Sequence, residues 1–226
     1  MSTLGQTSGA HAAVIVAHPD DETIWCGGLI LSRPDLNWFV LSLCRGSDED
    51  RAPRFRRALL ELAATGDMAD LDDGPTQEPL DQGLLRDVIR SKLPARHYDL
   101  IVTHNPKGEY SQHLRHEECA KSVIFLWSQD LIHTREMKLF AYADQGPHTL
   151  PRPRADAHEQ HVLSSAMYDR KKNIVSEIYG FGQDSWESRA TGPIEAFYRA
   201  GSASEFVDLL AVTQEQPFVE SKRVYR

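Results

Sequence analysis

Two short segments of the 226-residue chain concentrate side chains capable of chemistry: His18-Pro19-Asp20-Asp21-Glu22 and His113-Leu114-Arg115-His116. Three consecutive carboxylates beside an imidazole repel one another unless a cation, hydrogen bonds or solvent offset their charge. A metal ion would do so. Pro19 fixes its own φ and biases His18 toward an extended backbone, which stiffens the turn. In the second segment, two histidines three residues apart share one face of a helix and can address one site. Taken singly, each segment has an ordinary explanation: acids favoured at a helix N-terminus by the macrodipole, and a solvated helix start. Together they supply two or three imidazoles plus carboxylates, a donor set suited to a divalent metal if the fold brings them together.

The elements that would position these residues alternate between strand and helix. Ala12 to Ala17 is continuously apolar and β-branched in its middle, which predicts a strand covered on both faces, delivering His18 at its end. Apolar residues recur at helical spacing from Glu22 to Ser32, with Asp20 or Asp21 as the cap. The same reading gives a strand at Trp38 to Cys44, a helix at Pro53 to Ala64, a short strand at Met68 to Leu71 and a helix at Gln82 to Leu93. A buried strand at Asp99 to His104 follows, then a loop rich in Asn, Pro and Gly, a helix from about His113 to Trp127 and a fifth strand at Lys138 to Ala143. This order predicts an α/β fold, a Rossmann-like three-layer sandwich with a mostly parallel sheet, whose ligands gather at the carboxyl ends of the strands. Both segments of interest follow strands and reach that edge. Residues 1–226 are read as one domain, with an α/β core at 1–144 and a covering extension at 145–226. In the extension, Ser164 to Tyr179 is expected to be helical, with shorter helical stretches at Glu195 to Tyr198 and Glu205 to Val212.

Composition narrows the function classes. Hydrophobic residues at 41% and charged ones at 26% are ordinary for a folded globular protein, and the formal charge of -8 argues against gripping a phosphate backbone, so no nucleic-acid partner is expected. No run is long enough to span a bilayer, and residues 1–11 lack the basic start and apolar core of a secretory signal. Three widely spaced cysteines, Cys26, Cys44 and Cys119, fit reduced core thiols, and a cytoplasmic location is expected. The pattern does not select between a monomer and a homo-oligomer.

Ala17-His18-Pro19-Asp20-Asp21-Glu22 after a first strand, Gly27-Gly28 in the next helix, and Gly108-Glu109-Tyr110 leading into His113-x-x-His116 resemble the zinc-dependent de-N-acetylase family known as PIG-L or LmbE-like. The resemblance runs from about Ala12 to Asp144, and more loosely through Lys171, Lys172, Tyr179 and Glu195 to Tyr198. It implies that His18, Asp21 and His116 are metal ligands, that Asp20 is the general base, and that a protonated His113 helps stabilise the oxyanion and protonate the leaving group. Zn is the implied metal, with Fe(II) or another divalent ion as alternatives. The implied reaction is hydrolysis by metal-activated water that removes an N-acyl group, acetyl above all, from a small-molecule amino sugar or glycoconjugate. Three protein ligands leaving one position open to water, with a neighbouring carboxylate outside the ligand set, fit that chemistry.

The sequence departs from the family in two places. Many relatives carry an Asp immediately before the last ligand, where this chain has Arg115, a cation that cannot accept an imidazole N–H; Glu117 and Glu118 are candidate replacements. Tyr110 stands one residue further from the histidine than the family's tyrosine, so a loop-packing role competes with an oxyanion contact. Arg45 and Asp73, past the second and third strands, lie where relatives bind sugar hydroxyls or a neighbouring group, and are the candidate substrate contacts. Glu22 is assigned to the helix start or to the surroundings of the metal. Three rival readings stand beside the deacetylase: an amidase on a non-sugar amide, a non-haem iron oxygenase with the same two-His, one-carboxylate set, and a metal- or sugar-binding homologue without catalysis. The strand-helix alternation argues against an oxygenase on an all-β scaffold, and retention of Asp20 argues for turnover. No nucleotide-binding glycine motif follows a strand.

Overall fold

The computed structural model describes residues 9–110, 113–144, 146 and 149–206. A seven-stranded sheet is built from β1 (His11–Val16), β2 (Asn37–Cys44), β3 (Thr65–Leu71), β4 (Leu100–Thr103), β5 (Met137–Phe140), β6 (Glu159–Val162) and β7 (Ile194–Ala200), in the spatial order β6-β7-β5-β4-β1-β2-β3. The five strands from β5 to β3 run parallel, and β7 pairs antiparallel with both β5 and β6. The helices are α1 (Asp21–Ser32), α2 (Arg51–Glu61), α3 (Gln82–Lys92), α4 (Leu114–Ser128), α5 (Ser165–Asn173) and α6 (Trp186–Ala190).

Alternation along β1 divides the core. Ala12, Val14 and Val16 pack toward α1 and α2, whereas Ala13 and Ile15 pack toward α3 and α4. With both faces covered, the strand needs apolar residues at every position, which is why it reads as a continuous apolar run. Helices on both sides of a mostly parallel sheet make the expected three-layer α/β sandwich.

The segment after Asp144 does more than cover the core, because it contributes β6 and β7 to the sheet. Glu195 to Tyr198, expected to be helical, lies within β7: pairing with β5 on one side and β6 on the other overrides the helical preference of its Glu and Ala. The expected helix at Ser164 to Tyr179 forms as α5 followed by a π-helical turn at Ile174–Ile178. The expected strand at Lys138 to Ala143 breaks at Ala141, since Tyr142–Ala143 pairs with Arg152–Pro153 instead. Of the stretch Glu205 to Val212, residues 207–212 lie outside the described residues.

Helix α1 is interrupted at Cys26 (φ -144°, ψ 18°), which frees backbone groups in the interior. Glu195 on β7 accepts the amides of Gly28 and Leu29 at 2.7 Å each, while Tyr142 Oη donates to the Trp25 carbonyl at 3.3 Å. Lys171 of α5 neutralises Glu195 at 2.7 Å, and both side chains are fully buried. A Cβ at residue 28 would collide with Leu163 and press on Glu195 Oε1, so Gly28 permits this close approach.

Candidate metal centre

From β1 the chain moves outward to β2 and β3 and then returns to β4 on the other side of β1, so the connections leave β1 and β4 in opposite directions. A crevice opens at the carboxyl ends of such a pair. His18 emerges from β1 into it, and the loop after β4 brings His104, Glu109 and Tyr110 to its other wall, with His113 as the N-cap of α4 and His116 in that helix's first turn.

Three donor atoms converge there. His18 Nδ1 lies 3.2 Å from His116 Nε2, Asp21 Oδ2 lies 3.3 Å from His18 Nδ1, and Asp21 Oδ2 lies 3.4 Å from His116 Nε2. Ligands of a tetrahedral ion held at about 2.0–2.1 Å stand about 3.3–3.4 Å from one another, so the triangle fits zinc. The hydrogen bonds behind it fix the tautomers. His116 Nδ1 faces Glu109 Oε2 at 2.7 Å, and His18 Nε2 faces Asp73 Oδ1 at 3.0 Å. With a metal in place, each imidazole would keep its proton on the far nitrogen and turn a lone pair into the triangle. Two lone pairs and a carboxylate oxygen facing one another repel unless a proton or a metal cation lies between them. Burial alone lowers the His18 imidazole, yet Asp21 and Asp73 outweigh burial and lift it to about 10, so in the metal-free protein a second proton takes the place a cation would fill. Burial would raise the Asp21 carboxyl, but His116 and His104 beside it hold it well below the ordinary range.

Glu109 organises the far wall. It is fully buried, accepts from His104 Nδ1 at 3.1 Å and His116 Nδ1 at 2.7 Å through Oε2, and accepts the Asn105 amide at 2.8 Å through Oε1. Burial would raise its carboxyl, but the two imidazoles hold it at about 2. His104 in turn accepts the Ala17 amide at Nε2, 3.0 Å away, locking the loop after β4 to the end of β1. In the sequence Glu109 stands out only as part of Gly108-Glu109-Tyr110. The available signal was a carboxylate seven residues before His116, which has no periodic meaning until the loop folds back.

Asp20 sits between strand and helix at φ 145°, a backbone conformation that costs a non-glycine residue of order 1–3 kcal/mol. Glu22 holds the turn: its Oε2 accepts the Asp20 amide at 3.0 Å, and its Oε1 accepts Thr23 Oγ1 at 2.5 Å and Tyr179 Oη at 2.7 Å. Burial, with Asp21 adjacent, pushes the Asp20 carboxyl well above its usual range, against the pull of His18 and Arg51. Arg51 Nη1 lies 3.5 Å from Asp20 Oδ2 while its guanidinium rests on Phe181 at 4.4 Å. Sequence alone does not single out Arg51, because helical spacing does not show that the first turn of α2 borders the crevice.

His113 stacks on His116 with ring centroids 4.3 Å apart and meets His18 edge-on at 4.8 Å. Its Nδ1 is buried with no hydrogen-bond partner among the described residues. Burial, with His116 and His18 alongside, keeps the imidazole well below its ordinary pKa, so it is neutral in this state. Neither candidate replacement for the missing Asp hydrogen-bonds to it: Glu117 pairs with Lys121 and Glu118 with Arg115. Tyr110 packs between Trp186 and Trp25, at 4.5 and 6.1 Å, edge-on to His116. Arg45 and Asp73 both border the crevice, a cleft of about 410 Å³ that also includes Pro75 and Trp186.

A family model for PIG-L, GlcNAc-PI de-N-acetylase, matches residues 13–126, which is half the chain and contains both segments. The chain belongs to this family. Solved structures extend the likeness across the fold. The N,N′-diacetylchitobiose deacetylase of Pyrococcus horikoshii, solved with an inhibitor, is similar with a TM-score of 0.62 and 16% identity, covering 88% of this chain and 86% of that one. A deacetylase of the teicoplanin biosynthesis pathway is similar with a TM-score of 0.60 and 14% identity over 84% of this chain and 99% of its own. GalB, the 4-carboxy-2-hydroxymuconate hydratase of Pseudomonas putida KT2440, has a TM-score of 0.55 at 14% identity, covering 95% of this chain and 100% of its own. At such identities the likeness is one of fold, and one PIG-L-like fold accommodates both deacetylases and a hydratase. No curated protein matches the chain in sequence. Among the described residues, no helix is long and apolar enough to cross a membrane.

Proposed function

We propose that the protein is a metal-dependent N-deacetylase that hydrolyses the acyl amide of an amino sugar or its glycoconjugate. The observation that carries this reading is the convergence of His18 Nδ1, Asp21 Oδ2 and His116 Nε2 beside a carboxylate, Asp20, that is not one of the three. Two imidazoles and one carboxylate suit zinc, and Fe(II) would take the same ligands. A divalent metal held by these three residues would supply a water of lowered pKa and polarisation of the amide carbonyl.

The protein's own groups then divide the work. Asp20 takes the proton of the attacking water, and its raised proton affinity suits a general base. His113 is neutral at rest, so the proton it supplies to the leaving nitrogen has to arrive during turnover, with Asp20 as its source. While charge develops on the amide oxygen, His113 is the donor assigned to it. Glu22 and the strained turn keep Asp20 aimed into the cleft. The Trp186 and Tyr110 rings give one wall an apolar surface that suits the C–H face of a sugar ring. Three buried, unpaired cysteines support a reducing compartment, and the cytoplasm is the assigned location.

The test is a panel of N-acetylated amino sugars and glycosides incubated with the purified protein, scoring free amine, alongside elemental analysis of the preparation. Amine release that depends on bound metal is expected. Cleavage confined to non-sugar amides would replace the sugar reading by an amidase, and absence of amine release from every amide with metal bound would leave a binding protein.

A further inference from the structure

The adjacent parallel strands β1, β2 and β3 each deliver one side chain to the same rim: His18, Arg45 and Asp73. Their contacts form a line. His18 Nε2 lies 3.0 Å from Asp73 Oδ1, and Arg45 grips Asp73 Oδ2 through Nε at 3.0 Å and Nη2 at 2.8 Å. Gln77 Nε2 adds a further donor to Oδ1 at 3.2 Å. We propose that Asp73 is the orienting carboxylate of His18 and that Arg45 is the clamp that holds it, so that both residues act on the metal centre. This inference rests on the metal reading above.

Three observations carry it. First, a histidine that offers Nδ1 to a metal must keep its proton on Nε2, and a carboxylate facing Nε2 selects that tautomer, fixes the ring and strengthens the donor. Second, the other histidine has the same arrangement in mirror form: His116 offers Nε2 and is held at Nδ1 by Glu109. Third, a carboxylate offers about four lone-pair directions, and His18, Gln77 and the two Arg45 nitrogens supply four donors to Asp73. A sugar hydroxyl could bind Asp73 only by displacing one of them. Arg45 adopts φ 65°, which turns its side chain back over the end of β3. The planar guanidinium makes two contacts with one oxygen, which an ammonium group cannot reproduce in that geometry. Cys44 supplies the competing possibility, because a donor atom from each of His18, Cys44 and Asp73 lies within 4.8 Å of the others, which would make Asp73 a ligand of a second cation.

The experiment is zinc titration of the apo protein against a competing chromophoric chelator for the wild type, Asp73→Asn, Arg45→Gln and His116→Ala, with thermal unfolding of each apo form and the visible spectrum of the cobalt(II) form. Asp73→Asn is expected to weaken binding about 10–100-fold at an unchanged equivalence of one metal, and to alter the cobalt spectrum. Arg45→Gln, which leaves Asp73 in place but unclamped, is expected to weaken binding by a smaller factor, and it serves as the test if Asp73→Asn does not fold. Wild-type affinity in the folded Asp73 or Arg45 variant, with binding lost in His116→Ala, overturns the proposal while leaving the metal reading intact. Wild-type affinity in His116→Ala overturns the metal reading and this inference with it. Two equivalents in the wild type falling to one in Asp73→Asn would make Asp73 a ligand and overturn its orienting role.

Discussion

Replacing Glu109 by Gln removes one negative charge and almost no volume, so its effect isolates what the carboxylate does for His116, the proposed ligand. Glu109 accepts three hydrogen bonds, two at Oε2 from His104 and His116 and one at Oε1 from the Asn105 amide. A glutamine has one acceptor oxygen. With that oxygen at the Oε2 position, its amino group opposes the Asn105 N–H. With the amide reversed, the amino group opposes both imidazole N–H groups, and His116 is driven to move its proton to Nε2, where the lone pair of the donor triangle must be. Either orientation leaves a buried clash of donors, worth about 1–3 kcal/mol of stability. Loss of an orienting carboxylate weakens metal binding about 10–100-fold, which is about 1.4–2.7 kcal/mol at 1.36 kcal/mol per decade. The assay pairs a chelator-competition titration with a thermal melt of the apo protein. Glu109→Gln that melts lower yet binds zinc with wild-type affinity would reduce Glu109 to a loop anchor and refute the reasoning.

Asp20→Asn is expected to lower kcat about 10²–10⁴-fold while metal content stays at the wild-type level, read by amine release and elemental analysis; wild-type kcat would remove Asp20 as the base. Glu195→Gln leaves the buried Lys171 cation without its countercharge and is expected to cost about 3–5 kcal/mol, measured by denaturant unfolding; a loss under 1 kcal/mol would mean that Lys171 finds solvent. Tyr179→Phe deletes one buried hydrogen bond to Glu22 and is expected to cost about 1 kcal/mol, with a fall in kcat through Asp20 and none in metal affinity. Removing metal with a chelator is expected to abolish amine release and added zinc to restore it, and activity that survives a metal-free preparation would refute the mechanism.

The strands and helices up to Phe140 were legible because each carries a local signal: continuous apolar runs for buried parallel strands, helical apolar spacing between them, and Asp81 capping α3 through the Leu84 amide. What followed Asp144 was harder to read. The Glu195 to Tyr198 segment has Glu and Ala where a central strand usually has β-branched residues, and it becomes a strand only because β5 and β6 flank it. Its buried glutamate is explained by a hydrogen bond to Gly28, 167 residues earlier, beside the helix break at Cys26, a relation invisible to any local window. In the site, His18 and Asp21 belong to a dense motif and His116 to a His-x-x-His pair, and the structure brings the three together. Glu109 and Arg51 lacked comparable signals, since one serves through a loop that folds back and the other sits at the start of a helix whose charged face looks solvated in sequence.

Arg115, the residue that departs most from the family pattern, changes meaning once its contacts are considered. Its side chain is almost fully buried, and it does not face His113's imidazole as an acceptor would. It donates to the Asp72 carbonyl at 2.6 Å, to the Glu78 carbonyl at 2.8 Å and to Glu118 Oε2 at 2.6 Å. Glu118 in turn accepts the Leu80 amide at 2.8 Å. The arginine therefore ties helix α4, which carries His116, to the loop after β3, which carries Asp73. An aspartate at position 115 would orient one imidazole by a direct hydrogen bond, whereas an arginine at the same place fixes the spacing between the two walls that hold the ligand histidines. The consequence for His113 is physical: with no hydrogen-bond partner on its Nδ1 among the described residues, burial and the neighbouring imidazoles disfavour its imidazolium more than Asp21 favours it. Proton delivery to the leaving group then depends on what Asp20 acquires within the same turnover, which makes the strained turn at Asp20 and its Glu22 brace the part of the site on which the proposed reaction leans hardest.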